Sequence, residues 1–423
     1  MSVIVFNASM RGTKNMCRLH WDVLVGLVSA ILSLGASAQF VGKFSLSKTT
    51  YLAGEPVFLV FTVQNVSNKP LLIRTANPLS FCGGYQFKLT GARDREANGC
   101  GPAGAGGSCA SGSEILEPGR SRTDRILLNA RYDLGQPGIY PLHVTYRLDY
   151  DSANEGSAAL GIGGIFEDFH DQLEIVIEPS RPDDLKPEFE QFARDLDSKD
   201  VHTRLEAAKV IGYLAPRFME PTILNMLDSP ILEGYGVEGL RNLGTSSAHQ
   251  ALRRFVKDTP PTNVVGAYQK AIRYLGEIGD PGDISVLLNA ASKNAPDSYS
   301  RTLAIAAAGL AGGDVAVPAL ITELKDPSID TQQDAVRALY LTGSKSAVPV
   351  LISLLPSPNW RVSLTAEYGL EVLTHRSGAS TKAMNPPPPD TYSKWIRWWN
   401  IYGQNATIFK LGQCGKITPL PSQ

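Results

Sequence analysis

Histidines, cysteines, acidic clusters and glycine runs are the places where this 423-residue sequence could do chemistry. Its six histidines are His20, His143, His170, His202, His249 and His375. None falls in H-E-x-x-H or another paired spacing, where two imidazoles one helical turn apart grip a zinc ion. Glu167-Asp168-Phe169-His170-Asp171 gathers three carboxylates and an imidazole, a set able to hold a cation. Neighbours on a strand point to opposite faces, so the segment reads as a solvated loop before the last strand. Asp149-Tyr-Asp151-Ser-Ala153-Asn154-Glu155-Gly156 echoes a calcium loop. Ala153 replaces the third ligand and Asn154 the turn glycine, so the EF-hand pattern fails. Gly99 to Gly107 lacks the Lys-Ser/Thr of a phosphate loop, and Gly161 to Gly164 lacks a strand–helix setting. Ser108 is in no G-x-S-x-G elbow. No catalytic, cofactor-binding or metal-binding residue is therefore expected, no cofactor, and no enzyme.

Four cysteines, Cys82, Cys100, Cys109 and Cys414, follow the N-terminal segment. An even number in an oxidising compartment suggests disulfides. Zinc is the rival, but no C-x-x-C spacing supports it. At least one bridge is expected among the first three. Cys414 either closes onto the third of them or stays free.

The elements that would position such groups begin with a leader. Arg11, Lys14 and Arg18 precede the apolar run Val23–Leu34, and Ala36-Ser37-Ala38 follows it. This order is that of a secretory signal cleaved after about Ala38. The basic stretch is long, which leaves Met10 or Met16 as alternative starts. An uncleaved anchor is the rival, but the run is short of the ~20 residues a spanning helix needs. No later segment is judged long and apolar enough to span. The mature chain is expected to be exported, periplasmic or secreted.

Residues 39–180 show short strands with turn signals. Candidates are Lys43–Ser47, Val57–Val63, Leu71–Thr75, Tyr85–Thr90, Ser121–Asn129, Gly138–Tyr150 and Gln172–Glu178. Tyr140, Leu142, Val144, Tyr146 and Leu148 alternate with polar residues, the period of a strand with one buried face. About seven strands over this length suit an immunoglobulin-like β-sandwich. The stretch Tyr51-Leu-Ala-Gly-Glu-Pro-Val-Phe-Leu-Val-Phe-Thr-Val-Gln-Asn-Val-Ser-Asn-Lys-Pro70 resembles the opening of bacterial immunoglobulin-like modules. Leu116-Glu-Pro-Gly-Arg-Ser121 and Pro137-Gly-Ile-Tyr140 fit the same type. These modules include the group named after an intracellular proteinase inhibitor, but the motif marks a fold and not that activity.

Residues 181–186 form a linker within the stretch Glu178–Pro187, which holds three prolines, and from about Pro187 helical periodicity takes over to residue 375. Leu214, Leu243, Leu275, Leu310, Leu341 and Leu373 close successive helices at intervals of about 32 residues. Ala316-Val-Pro-Ala-Leu-Ile321 recurs as Ala347-Val-Pro-Val-Leu-Ile352. Leu275-Gly-Glu-Ile-Gly-Asp-Pro281 resembles the turn of the short bacterial HEAT repeat named after the phycobilisome lyases. That resemblance implies an α-helical solenoid whose units must stack to bury their faces. It does not imply lyase activity. No periodic set of titratable groups is expected along the repeats.

Residues 376–423 form a capping tail. Trp395, Trp398 and Trp399 lie in a W-x-x-W-W segment, with Trp395 and Trp399 on one helical face. They read as a cap over the last repeat, with a binding edge as the sharper alternative. Charge divides by region: 12 basic and 15 acidic side chains in 39–180, 19 and 24 in 181–375, and 6 and 1 in 376–423. The net charge of −1 argues against a nucleic-acid partner.

The function expected is a non-catalytic, exported protein–protein interaction or scaffold role, through the solenoid surface and the sandwich loops. One alternative is a secreted protease-inhibitor-like module acting through the loop Gly91–Gly112. A second is an enzyme-maturation or lyase-like role.

Overall fold

A computed structural model describes residues 38–76, 84–94, 111–152, 165–258, 265–291, 297–376, 390–411 and 417–419. The expected signal segment, the glycine runs and the four cysteines lie outside the described residues. Among the described residues, the N-terminal half is β-sheet and the C-terminal half is a solenoid-like run of twelve α-helices.

Strands β1 (Phe40–Leu46), β3 (Phe58–Asn65) and β8 (Ser121–Leu127) form an antiparallel sheet in the order β1-β3-β8. The second sheet is built on the long hairpin of β10 (Gly138–Ser152) and β11 (Ile165–Glu178). Its order is β2-β11-β10-β4-β7, with β2 Thr50–Leu52, β4 Leu71–Ala76 and β7 Ser111–Leu116. β5 (Tyr85–Leu89) also pairs with β10. β6 (Arg93–Asp94) and β9 (Tyr132–Asp133) make a small separate ladder. The inner faces meet in one apolar cluster: Phe44, Leu59, Phe61 and Ile126 from the first sheet, Ile73, Leu142, Val144, Leu148 and Ile175 from the second. The alternation of β10 appears as drawn from sequence, with Tyr140, Leu142, Val144, Tyr146 and Leu148 all buried.

Glu167 to Asp171 is not a loop. It lies within β11, which begins seven residues earlier than Gln172. Charged residues suit that strand because much of its burial pattern is exposed or half-exposed. Asp168 takes a two-pronged contact from Arg147 on β10, at 2.9 and 3.0 Å. Glu167 accepts the Phe40 N–H at 3.2 Å. The cluster is thus divided between strand faces rather than gathered for a cation.

Residues 181–186 open α1 (Pro182–Asp195). Pro182 stands at the first turn, where its missing N–H costs nothing, and Asp184 accepts the Arg181 N–H at 2.8 Å. The array then runs through α2 Val201–Leu214, α3 Glu220–Met226, α4 Glu233–Leu243, α5 Ser246–Asp258, α6 Val265–Ile278, α7 Ile284–Ala290 and α8 Ser298–Glu323. It continues with α9 Ile329–Leu341, α10 Ala347–Leu354, α11 Trp360–Thr374 and α12 Thr391–Tyr402. A short ladder of β12 (Phe409–Leu411) and β13 (Ile417–Pro419) follows. Asp200, Asp297, Ser328 and Asn359 cap the N-termini of α2, α8, α9 and α11 through their side chains.

α2, α4, α6, the first part of α8, α9 and α11 pack on one another in succession and form one layer. α8 is long and apolar enough to cross a membrane by length and composition, contrary to the expectation that no such segment follows the leader. It is broken at Gly313, whose φ of 48° and ψ of −134° lie outside the helical region. Much of its apolar stretch, 56%, is buried among the other helices, so its hydrophobicity is accounted for by the core.

The two halves meet. Phe58 and Leu127 from the first sheet join Leu185 and Phe189 of α1 in the core of the helical half. Arg125 of β8 lies 4.3 Å from the centre of the Phe58 ring and 3.0 Å from Glu206 of α2.

Candidate functional site

The first-layer helices carry a pair of charged residues three positions apart, which places both on one face. The pair is Glu206 and Lys209 on α2, Glu238 and Arg241 on α4, Lys270 and Arg273 on α6, and Asp334 and Arg337 on α9. Buried Ala304, Ile305 and Ala308 of α8 match Ala271, Ile272 and Leu275 of α6. That register puts Leu303 and Ala306 at the equivalent place on α8, and Thr365 and Tyr368 on α11.

Acid and base differ in depth. The Glu238 and Asp334 side chains are only 8% and 9% exposed, against 43% for Arg241, 37% for Arg273 and 47% for Arg337. The carboxylates form the floor and the guanidinium groups the surface. Tyr274 is buried and donates to Glu238 Oε2 at 2.6 Å. Burial, then the Glu238 charge, hold its phenol well above the ordinary range. Arg241 and Arg273 flank its ring at 4.8 and 5.1 Å, a cation–π arrangement. Arg241 also reaches Glu277 at 3.4 Å, and Lys270 reaches Glu238 at 3.6 Å. Further along, Asp334 accepts from Thr302 Oγ1 at 2.6 Å and pairs with Arg337 at 3.2 Å. Burial pushes the Asp334 carboxyl up, while those two contacts oppose the shift. At the α2 end burial pushes the Lys209 ammonium down. Tyr340 and Tyr368 meet edge to face at 5.6 Å, and Tyr368 is exposed. The expectation that the repeats carry no periodic titratable set is thus overturned. The signal was in the sequence, because 206, 238, 270 and 334 differ by multiples of 32. It emerges only when the helices are aligned by their buried residues instead of their closing leucines.

A second cluster joins His249 and Arg253, one turn apart on α5, to Asp280 and Asp283 of the turn after α6. His249 Nε2 lies 2.7 Å from Asp283 Oδ2, and His249 Nδ1 3.8 Å from Asp280 Oδ2. The three ligand atoms fall within 4.8 Å of one another, a spacing that a metal ion could bridge. Arg253 supplies the positive charge instead, pairing with Asp283 and, at 2.7 Å, with Asp280. Asp283 is fully buried, and its two carboxylate oxygens are taken by His249 and Arg253. Sequence spacing alone did not reveal the group, since its halves lie on different elements.

Of the residues singled out from sequence, Trp395 is buried in the helical core, with Trp398 and Trp399 packed partly buried against it. The Trp395 and Trp398 rings meet edge to face at 5.6 Å, and Arg376 lies 4.8 Å over Trp398. The exposed large apolar residues of α12 are Tyr392, Ile401 and Tyr402. The expected disulfide must be withdrawn. No disulfide is present among the described residues, and Cys82, Cys100, Cys109 and Cys414 lie outside them.

No protein-family model matches the chain, and no curated protein does. Solved structures do. An engineered protein is 22% identical, covers 44% of this chain and 95% of its own, and has a TM-score of 0.29. The complex of CpcE and CpcF of phycocyanin lyase from a Nostoc species is 18% identical, with coverages of 51% and 82% and a TM-score of 0.26. Escherichia coli alpha-2-macroglobulin is 10% identical over 91% of this chain but only 28% of its own, with a TM-score of 0.19. With TM-scores this low, none of these likenesses carries an argument about fold or function.

Proposed function

We propose that the chain is an exported, non-catalytic protein-interaction protein that holds its partner on the exposed face of the first helix layer. In this reading the helical half is a HEAT-type array and the sheet half an immunoglobulin-like sandwich that supports its first helices. The observation that carries the reading is the half-exposed Arg241, Arg273 and Arg337, at equivalent places on α4, α6 and α9, with buried Glu238 and Asp334 beneath the row. A stack of repeats offers an extended surface of this kind because each unit contributes one strip of it. Arginine suits such a surface. Its planar fork has five donors, and the contacts to Glu238, Glu277 and Asp334 leave others directed outward.

The second reading is a lyase-like or maturation role, in which the same face holds a client while a bond is made or broken. It is prompted by the phycocyanin lyase complex among the similar structures. Affinity capture from the exported fraction separates the two. The expected result is one stable protein partner, retained by the native chain, lost when Arg241, Arg273 and Arg337 are all changed to Glu, and recovered unmodified. A partner recovered with a new covalent group supports the second reading. Capture undiminished in a folded triple variant overturns the placement on this face.

A further inference from the structure

We infer that the ligand of this face is an extended acidic segment of a protein, with an acid at every third residue and an apolar residue where the row is interrupted. The inference rests on the interaction reading above and names the chemistry of the partner.

The row presents cations to solvent. The Lys270 side chain is 37% exposed, in the same range as Arg241, Arg273 and Arg337, while Glu238 and Asp334 are nearly covered. Over α4 and α6 three cations, Arg241, Lys270 and Arg273, face the less exposed Glu238 and Glu277, and on α9 exposed Asp330 is paired with Arg361, so the strip keeps a positive excess on an array whose residues 181–375 carry an excess of acid. That contrast selects an anionic partner at this strip against the rest of the array. The spacing selects its form. Packed helices stand ~8–10 Å apart; an extended segment in the polyproline II form turns once every three residues and rises ~3.1 Å per residue, so residues three apart share one face and span one helix-to-helix step. A carboxylate over Arg241 of α4 places the next acid, three residues on, over Arg273 of α6. The following step crosses α8, where Ala306 stands in place of a cation and an apolar residue fits. The step after it reaches Arg337 of α9, and the last reaches exposed Tyr368 of α11, again suited to an apolar or aromatic side chain. The pattern is acid-x-x-acid-x-x-apolar-x-x-acid-x-x-apolar. A folded acidic helix would not keep this register, because its rise of ~1.5 Å per residue puts residues three apart only ~4.5 Å along its axis.

The test uses the full chain and a fluorescein-labelled peptide with Glu at positions 1, 4 and 10, Leu at 7 and 13, and Ser or Thr elsewhere. A shuffled peptide of the same composition with its acids contiguous serves as control, together with a single-stranded oligonucleotide. Fluorescence anisotropy should show the patterned peptide binding roughly tenfold or more tightly than the shuffled one, and weakening as salt rises. Arg273→Glu with Arg337→Glu should abolish the preference. The neutral pair Arg273→Gln with Arg337→Gln should reduce it, with circular dichroism confirming the fold of both. Equal binding of the two peptides, or tighter binding of the oligonucleotide, overturns the inference. If capture of a protein partner still depends on the three arginines while the peptides bind equally, the interaction reading stands and only the assigned chemistry fails.

Discussion

Glu367 departs furthest from the pattern of its neighbours. It occupies on α11 the inward place held by Ile272, Ile305 and Val336 on earlier first-layer helices, all buried. It is itself only 1% exposed, and neither carboxylate oxygen has a hydrogen-bond partner. Burial, with Glu371 adding to it, pushes its carboxyl up from the ordinary value. At low pH the group is neutral in both folded and unfolded chains. As pH rises through the ordinary carboxylate range, ~4.3, the unfolded chain releases the proton first. Stability is therefore lost from that value up to the raised folded one, and then levels off. Glu367→Leu should stabilise the protein by about 1–3 kcal/mol, with a larger gain in melting temperature at pH 8 than at pH 4. An equal gain at both values would contradict a buried, proton-retaining carboxyl. The sequence contained this anomaly but gave no reason to call the position inward until the helices were aligned.

Close approach defines the first layer at the scale of its elements. Gly276 of α6 faces Ala307 of α8, and Gly309 of α8 faces Ala338 of α9. A Cβ at Gly309 would come 2.9 Å from the Ala338 Cα, against backbone that cannot step aside. Gly309→Val should cost about 1–3 kcal/mol through overpacking, seen as a lower urea midpoint. An unchanged midpoint would show that the helices are not in this contact. Elements of this kind were legible where burial is periodic, as in β10 and the repeats. β7 was missed because Ser111-Gly-Ser-Glu114 has little strand propensity and is held by its pairing with β4. The early start of β11 was missed because charged residues on a largely exposed strand look like a loop. α1 was hidden by Pro182 and Pro187, which suggest a break where one of them begins a helix.

Taken as a whole molecule, the chain is a sheet half and a helical half with a shared apolar seam at Phe58, Leu127, Leu185 and Phe189. The seam sits at the start of the helical array, on α1. The near-zero net charge of the sequence hid this organisation, because acidic repeats, a basic tail and a strip of surface arginines cancel in the sum. The most direct measurement is site-specific photo-crosslinking in cells that express the full chain. A photoreactive residue replaces either exposed Tyr368 on the first layer or exposed Ser353 of α10. The expected result is a single covalent adduct with a protein partner from the Tyr368 position, competed away by the patterned acidic peptide, and none from Ser353. An adduct from Ser353 alone, or none from either, would contradict a partner held on the first-layer face.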